Sequence, residues 1–236
     1  MDAVRTVSLT KVFDDTAVVD HISFSVAEGE LFSLLGTNGS GKSTVIKLLA
    51  CVTPPTEGDA FVMEKSVRKN AGAVKKMVAV LPQEPAIAPG LSVRKNLELV
   101  SGVHGFSRKK REEKIEELIE SLDLAQFGEL DAGSLSGGWQ RRLSIAIALI
   151  REPKVLLIDE PTRGLDVIAR RELWEIIRAL KGKITIVLST QDPEEAESLA
   201  DRIGVMKDFG LAAVGTADEI KMKGEAPTLR EAIARL

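Results

Sequence analysis

The sequence has few of the residues that support disulfide or zinc chemistry. Cys51 is the single cysteine among 236 residues, which excludes an internal disulfide and suits a reducing compartment. The two histidines, His21 and His104, are too few and too isolated to predict a zinc site. Neither a disulfide nor structural zinc is therefore expected.

Long apolar runs are absent as well. No apolar stretch approaches the roughly 20 residues that a membrane-spanning helix needs. Residues 1–5 lack the basic and apolar regions of a signal peptide. We expect a soluble, cytoplasmic protein that reaches a membrane only through a partner.

Neither sign of charge dominates the composition. The 32 basic and 35 acidic residues give a formal net charge of −3, which provides no general attraction for nucleic acid. The basic residues 108–111 are followed at once by Glu112 and Glu113, a pattern that favours the solvated face of a helix over a polyanion site. No nucleic-acid partner is expected.

A glycine-rich loop lies between an apolar run at residues 31–35 and a helix-like segment. Residues 36–43 have the pattern G-x-x-x-x-G-K-S, which is that of a phosphate-binding P-loop. Its glycines let backbone N–H groups approach phosphate oxygens, and the following helix adds a positive dipole end. Lys42 is expected to contact the β- and γ-phosphates, and Ser43 to reach Mg²⁺. The sequence therefore predicts nucleoside triphosphate binding.

Strand-like and helix-like segments alternate around this loop. Residues 4–26 have the alternating apolar pattern of antiparallel strands, and several short apolar runs predict buried strands. Residues 84–133 lose strand signals and become charged and helical. We predict an α/β fold with a mostly parallel sheet flanked by helices in residues 1–83 and 134–236. The predicted fold also contains an N-terminal antiparallel β subdomain and, at residues 84–133, an inserted all-helical subdomain.

Two carboxylates follow the apolar run at residues 155–158. Parallel α/β sheets place their ligand sites at the carboxyl ends of strands, so Asp159 and Glu160 can face the triphosphate. Asp159 is expected to hold Mg²⁺, directly or through water, and Glu160 to orient and deprotonate the attacking water. The alternative is a strand that ends by chance in acidic loop residues.

A second glycine-rich helix start lies at residues 135–140, with the sequence LSGGWQ. Ser136 and two glycines precede a helix predicted over residues 139–150, which makes a second helix N-terminus suited to an anion. One nucleotide hardly needs two such sites, so the second is expected to contact the γ-phosphate on another subunit. Two copies would then enclose two ATP molecules head to tail. A capped helix without a ligand is the alternative.

Together these stretches resemble the nucleotide-binding subunits of ATP-binding cassette (ABC) transporters, and the resemblance spans essentially the whole chain. Of the matching stretches, LSGG is far more specific than the P-loop. The resemblance implies a P-loop NTPase core that uses ATP and Mg²⁺. The residues that it implies for ATP binding are Phe13, Gly36, Thr37, Asn38, Gly39, Ser40, Gly41, Lys42, Ser43, Thr44, Gln83, Leu135, Ser136, Gly137 and Gly138, and those for Mg²⁺ are Ser43, Gln83 and Asp159.

Several of these roles come from the resemblance alone. Phe13 matches the aromatic residue that stacks on adenine, although a strand core residue is the alternative. Gln83 matches the glutamine of the Q-loop, which contacts Mg²⁺ and the attacking water; a polar residue after a proline is the alternative. Residues 164–166 match the D-loop at the dimer interface, and Glu160 matches the catalytic base.

The chain departs from the family pattern at two positions. Gln191 stands where the family usually has a histidine, and its amide can hydrogen-bond to a γ-phosphate or orient water but cannot carry a proton at neutral pH. We therefore expect ATP binding with slowed hydrolysis, with Lys42, Glu160 and Gln191 as the catalytic residues. Trp139 replaces a common glutamine, and its ring is expected to pack at the dimer or helical-subdomain surface or in the core.

The leading interpretation is an ATP-hydrolysing motor subunit of a membrane transporter, most similar to drug or ABC-2-type exporters. Its partners would be separate transmembrane permease subunits, which hold it at the cytoplasmic face of the membrane, and a second ATPase subunit in an ATP-dependent homo- or heterodimer. One alternative is a soluble ABC ATPase of translation or DNA maintenance, which the single cassette disfavours. The other is a regulatory, weakly hydrolysing cassette, which Gln191 favours and Glu160 disfavours.

Overall fold

The structure of the chain is a computed structural model that describes residues 1–103 and 107–236. His104 therefore lies outside the described residues, as does a small part of the predicted helical segment 84–133. The described chain divides into two compact units. The first contains residues 1–80, 154–160 and 180–236, and the second contains residues 81–153 and 161–179.

The strands are β1 (Asp2–Phe13), β2 (Thr16–Ile22), β3 (Ser25–Ala27), β4 (Leu31–Gly36), β5 (Glu57–Val62), β6 (Lys65–Ser66), β7 (Val78–Leu81), β8 (Val155–Asp159), β9 (Thr185–Thr190), β10 (Arg202–Lys207) and β11 (Gly210–Gly215). The helices are α1 (Lys42–Leu49), α2 (Ala71–Met77), α3 (Val93–Val103), α4 (Arg108–Ser121), α5 (Gly137–Leu149), α6 (Val167–Leu180), α7 (Pro193–Leu199), α8 (Ala217–Lys223) and α9 (Leu229–Arg235).

Two sheets organise the first unit. In the smaller sheet the strand order is β2-β1-β5-β6, β3 also pairs with β1, and the pairs are antiparallel. In the six-stranded sheet the order is β11-β10-β4-β9-β8-β7, and β10, β4, β9 and β8 run parallel. The predicted α/β fold, with a mostly parallel sheet and an antiparallel β subdomain, is therefore confirmed.

The strand before the P-loop, β4, lies in the middle of the parallel sheet. All six of its residues are buried, as expected for a parallel strand covered on both faces. Phe32 stacks on Phe24 with ring centroids 4.9 Å apart, which joins β4 to the antiparallel sheet. In the parallel register Leu35 pairs with Thr190, and Asp159 pairs with Ser189. The carboxyl ends of β4, β9 and β8 consequently meet at one edge of the sheet.

The second unit is helical and includes α3, α4, α5 and most of α6. Apolar side chains at helical spacing are buried along α3 and α4, because each helix presents one face to its neighbours. The buried residues are Val93, Leu97, Ile115, Leu118 and Ile119. The predicted helical segment 84–133 lies within this unit, which also takes in α5. The predicted domain boundaries themselves stay a prediction.

Short helices at the end of the first unit begin at side-chain caps. Asp192 accepts a hydrogen bond from the Glu194 N–H, and Pro193 occupies the first position of α7. Thr216 and Glu219 form a reciprocal capping box at the start of α8. Among the described residues no helix is both long enough and apolar enough to span a membrane.

Candidate active site

The P-loop backbone at the end of β4 is packed so closely that two of its glycines have no room for a side chain. Gly41 has a φ of +98°, and a Cβ there would lie 2.2 Å from the Val18 carbonyl oxygen of β2. A Cβ on Gly36 would lie 2.5 Å from the Met206 carbonyl oxygen. Gly39 also has a positive φ, +81°, but nothing lies within 4 Å of its Cβ position. The loop is therefore shaped by contact with β2 and β10 as well as by its own sequence.

Lys42 is buried inside the loop at the first position of α1. Its Nζ donates hydrogen bonds to the carbonyl oxygens of Gly36 and Thr37, both at 2.8 Å, and lies 3.9 Å from Glu160 Oε1. Burial lowers the pKa of Lys42, and the carboxylates of Glu160 and Asp159 oppose that effect. The ammonium is thus held at the mouth of the loop by acceptors that phosphate oxygens can replace.

The remaining P-loop side chains differ in exposure. Thr37 and Asn38 are exposed, and Thr44 is half-buried on α1. Ser40 is buried, and its Oγ has no hydrogen-bond partner within the described part of the chain. A buried hydroxyl without a partner is costly, so this atom is suited to a polar group of a ligand.

The side-chain oxygens of Asp159 and Ser43 lie together at the edge of the sheet. Ser43 Oγ donates to Asp159 Oδ1 at 2.9 Å, and Ser189 Oγ donates to the same oxygen. Ser189 is not predicted from the sequence, although its place at the carboxyl end of a predicted strand is a signal that points to it. Ser189 orients the Asp159 carboxylate from the neighbouring strand β9.

This oxygen pair fits Mg²⁺. Mg²⁺ is held in phosphate-transfer enzymes through one or two carboxylates and the substrate phosphates, with water completing its shell. The described residues contain no group of three or more His, Cys, Asp and Glu side chains that could hold a metal. A magnesium ion at Ser43 and Asp159 would therefore depend on the nucleotide for part of its coordination.

Glu160 follows Asp159 and lies beside both Lys42 and Gln191. It is buried at 8% exposure, has a φ of +44°, and its N–H donates to the Ser189 carbonyl at 3.0 Å. Gln191 Nε2 donates to Glu160 Oε2 at 3.4 Å. The structure thus brings together five residues that the sequence predicts for the site: Lys42, Ser43, Asp159, Glu160 and Gln191.

Phe13 ends β1 and is 46% exposed, so the alternative of a strand core residue is wrong. Its ring lies under Lys11, whose Nζ is 4.7 Å from the ring centroid. Phe13 pairs with Thr16 in the β1–β2 hairpin, and Val18 of the same hairpin contacts the P-loop at Gly41. An exposed aromatic ring therefore belongs to the hairpin that packs against the phosphate loop.

In the second unit, Gln83 follows β7 and is held by two arginines. The side-chain oxygen of Gln83, with its amide oriented to satisfy both groups, accepts hydrogen bonds from Arg163. The main-chain carbonyl of Gln83 accepts from Arg141 of α5, which also donates to the Pro82 carbonyl at 2.6 Å. Neither arginine is predicted from the sequence as a contact of Gln83, because no local pattern indicates these contacts.

The LSGG stretch is at the start of α5, which begins at Gly137, two residues before the predicted start. Ser136 occupies the N-cap position, but its side chain makes no capping hydrogen bond. Ser136 and Gly137 are exposed, whereas Leu135 is buried. Gln140 Nε2 donates to the carbonyl oxygen of Leu135 at 3.1 Å and holds the turn in place. The Ser136 hydroxyl therefore does not cap the N–H groups of the first turn of α5, and both the hydroxyl and these N–H groups can bind a ligand.

Trp139 is half-buried and packs within the second unit. Its ring lies 4.5 Å from the Phe127 ring, centroid to centroid, and the Arg142 guanidinium lies 4.4 Å from its centroid. Phe127 belongs to the predicted helical segment 84–133. The ring therefore fastens the start of α5 to that segment.

A glycine-rich loop with a buried lysine follows a central parallel strand, and a carboxylate lies at the end of another strand of the same sheet. This arrangement defines a P-loop nucleotide-binding protein. Residues 19–163 match the family model described as ABC transporter. The chain belongs to the ABC transporter family, which confirms the resemblance recognised in the sequence.

Individual relatives agree with this assignment. The daunorubicin resistance ATP-binding protein DrrA3 of Streptomyces coeruleorubidus is 40% identical over 212 residues, which are 89% of this chain and 67% of that protein. ABC transporter A family member 2 of Arabidopsis thaliana is 39% identical over 201 residues, 84% of this chain but 20% of that protein. The chain spans between 20% and 40% of the length of several such longer relatives.

Two solved structures share the fold. One, described as the ATP-binding subunit of an ABC transporter, has a TM-score of 0.86 and 26% identity, and the match covers 98% of each chain. The other is a dimeric ATP-binding cassette in a post-hydrolysis state with ADP and Pi bound. It has a TM-score of 0.80 and 25% identity over 90% of this chain and 98% of that one.

Proposed function

We propose that the chain is the ATP-binding and ATP-hydrolysing motor subunit of an ABC membrane transporter of the exporter type. The observation that carries this proposal is the convergence of Lys42, Ser43, Asp159 and Glu160 at one edge of the parallel sheet. The names of relatives such as the daunorubicin resistance protein support the export direction. Separate transmembrane permease subunits would hold the chain at the cytoplasmic face of the membrane and select the substrate.

In the proposed mechanism the P-loop binds the triphosphate of ATP. Lys42 exchanges its carbonyl acceptors for β- and γ-phosphate oxygens, and Phe13 stacks on the adenine. Ser43, Asp159 and Gln83 would hold Mg²⁺, which neutralises phosphate charge when bound. Glu160 accepts a proton from the attacking water, and Gln191 orients that water or hydrogen-bonds to the γ-phosphate.

A second subunit is part of the proposed catalytic unit. Leu135, Ser136, Gly137 and Gly138 of one subunit would contact the γ-phosphate bound to the P-loop of the other. The exposed Ser136 and Gly137 and the unused capping capacity of Ser136 support this contact. The solved dimer with ADP and Pi supports a two-subunit arrangement. ATP binding would close the pair, and hydrolysis would release it.

One observation favours a second candidate, a regulatory cassette that binds ATP but hydrolyses it weakly. Gln191 Nε2 donates a hydrogen bond to Glu160 Oε2, but the amide neither gains nor loses a proton at neutral pH. Such a subunit would work with a catalytically active partner cassette.

Size-exclusion chromatography with light scattering on the Glu160→Gln variant, with and without Mg-ATP, tests the proposal. Loss of the base should trap ATP, so the expected result is a dimer that forms only with ATP. Ser136→Ala in the same background, which removes a γ-phosphate contact, should weaken the dimer. A variant that binds ATP yet stays monomeric would contradict a homodimeric site and would favour a different partner cassette or a requirement for the membrane subunits.

A further inference from the structure

Arg141, on the second turn of α5, is a buried cation without an ion-pair partner in the described part of the chain. The residue is 3% exposed. Its Nη1 donates to the Pro82 carbonyl oxygen at 2.6 Å and its Nη2 to the Gln83 carbonyl oxygen, while its Nε has no partner there. The guanidinium thus donates hydrogen bonds to two consecutive main-chain carbonyl groups.

Packing does not account for an arginine at this position. Burial lowers the pKa of Arg141, and the charge of Glu84 opposes that effect without forming a hydrogen bond. Burying a charged group without a paired carboxylate costs stability, and apolar side chains of similar volume fill such positions at lower cost. The two carbonyl contacts are what an apolar residue could not supply.

The neighbouring Arg142 shows the contrast. Its Nη1 lies 3.0 Å from Asp123 Oδ2 and its Nη2 lies 2.8 Å from Glu172 Oε2, while its guanidinium covers the Trp139 ring. Arg142 therefore joins α5 to α6 and to the segment just after α4 through carboxylates, and it does not contact Gln83. Two adjacent arginines on one helix consequently make different kinds of contact.

We propose that Arg141 is a positioning residue for Gln83 and couples it to the helix that begins with Ser136 and the two glycines. The carbonyls of Pro82 and Gln83 belong to the two peptide planes that flank the Gln83 Cα. Fixing both planes fixes the direction in which the Gln83 side chain leaves the backbone. A movement of the start of α5 would then be transmitted to Gln83 through the guanidinium.

This inference rests on the proposed part of Gln83 in hydrolysis, so its test is a double-mutant cycle in steady-state ATPase assays on the full chain. Arg141→Gln should lower kcat by about 10- to 100-fold, the loss expected when a reacting group is misplaced by about 1 Å. In the Gln83→Ala background the same substitution should have no further effect. Arg142→Gln is the matched control, and its effect should be equal in both backgrounds.

A second readout does not depend on turnover. Titration of ATP with Mg²⁺ or with a chelator measures how much Mg²⁺ strengthens nucleotide binding. Arg141→Gln and Gln83→Ala should reduce this Mg²⁺-dependent gain equally, and the double variant should reduce it no further. If Arg141→Gln does not fold, Arg141→Lys, whose single ammonium can reach one carbonyl, replaces it. Emission of Trp139 and Trp174, both in the second unit, reports its folding.

These measurements distinguish the positioning role of Arg141 from the proposed function of Gln83. An Arg141→Gln effect of equal size in both backgrounds would overturn the positioning role and leave the function of Gln83 intact. Gln83→Ala with wild-type kcat and wild-type Mg²⁺ dependence would remove the proposed function of Gln83, and the positioning role with it.

Discussion

Replacing Gly41 by alanine is expected to destabilise the chain more than the same change at Gly39. Both glycines belong to the P-loop and both have a positive φ, +98° and +81°. An L-residue in such a conformation costs about 1–2 kcal/mol. At Gly39 that is the whole expected cost, because nothing lies within 4 Å of the new Cβ.

At Gly41 a second cost is added. The new Cβ would lie 2.2 Å from the Val18 carbonyl oxygen, and a backbone atom in a paired strand cannot rotate away as a side chain can. Overpacking of this kind costs about 1–3 kcal/mol, so the total for Gly41→Ala is about 2–5 kcal/mol. At about 2–4 °C per kcal/mol for a chain of this size, Tm should fall by about 4–20 °C, against about 2–8 °C for Gly39→Ala.

The assay is thermal unfolding of both variants without nucleotide, followed by circular dichroism. The difference between the two variants isolates the contact with Val18, because the conformational cost is common to both. Equal Tm values for the two variants would refute the reasoning, since they would show that β2 yields to the P-loop at no cost. Gly41→Ala should also weaken ATP binding, because shifting β2 or the loop alters the phosphate cradle.

Two further predictions concern the charged centre. Gln191→His should raise steady-state ATP turnover by up to about 100-fold, because an imidazole next to Glu160 can transfer a proton. An unchanged rate would show that this position does not limit hydrolysis. The pKa of Lys42 in the folded chain is lowered from 10.5, so the charged lysine destabilises the fold at neutral pH. This cost disappears as the pH rises through the folded pKa towards 10.5, because the folded protein then loses the proton first. Urea titration at several pH values measures the free energy of unfolding of the wild type and of Lys42→Met. The wild-type value minus the variant value should increase over the alkaline range. A difference that stays flat or falls would contradict the direction of the pKa shift.

The exposed position of Phe13 shows where sequence reasoning reaches its limit. Alternating apolar residues predict β1, but they leave open whether an aromatic residue at its end faces the core or solvent. The hairpin with β2 is a local contact, in which Phe13 pairs with Thr16. How that hairpin packs against Gly41 depends on segments that are further apart in the chain. Gln83 is a similar case, because the two arginines that hold it come from residues 141 and 163.

The phosphate loop, the pair Asp159 and Glu160, and the LSGG helix start can all be predicted from the sequence, because each depends on local backbone conformation and on residue types a few positions apart. Three contacts arise only from the tertiary structure: Ser189 with Asp159, Gln191 with Glu160, and Arg141 with the main chain at Gln83. Those contacts depend on strand order, register and helix packing. The partners of buried polar groups are therefore set by which segments become neighbours, which a local pattern does not encode.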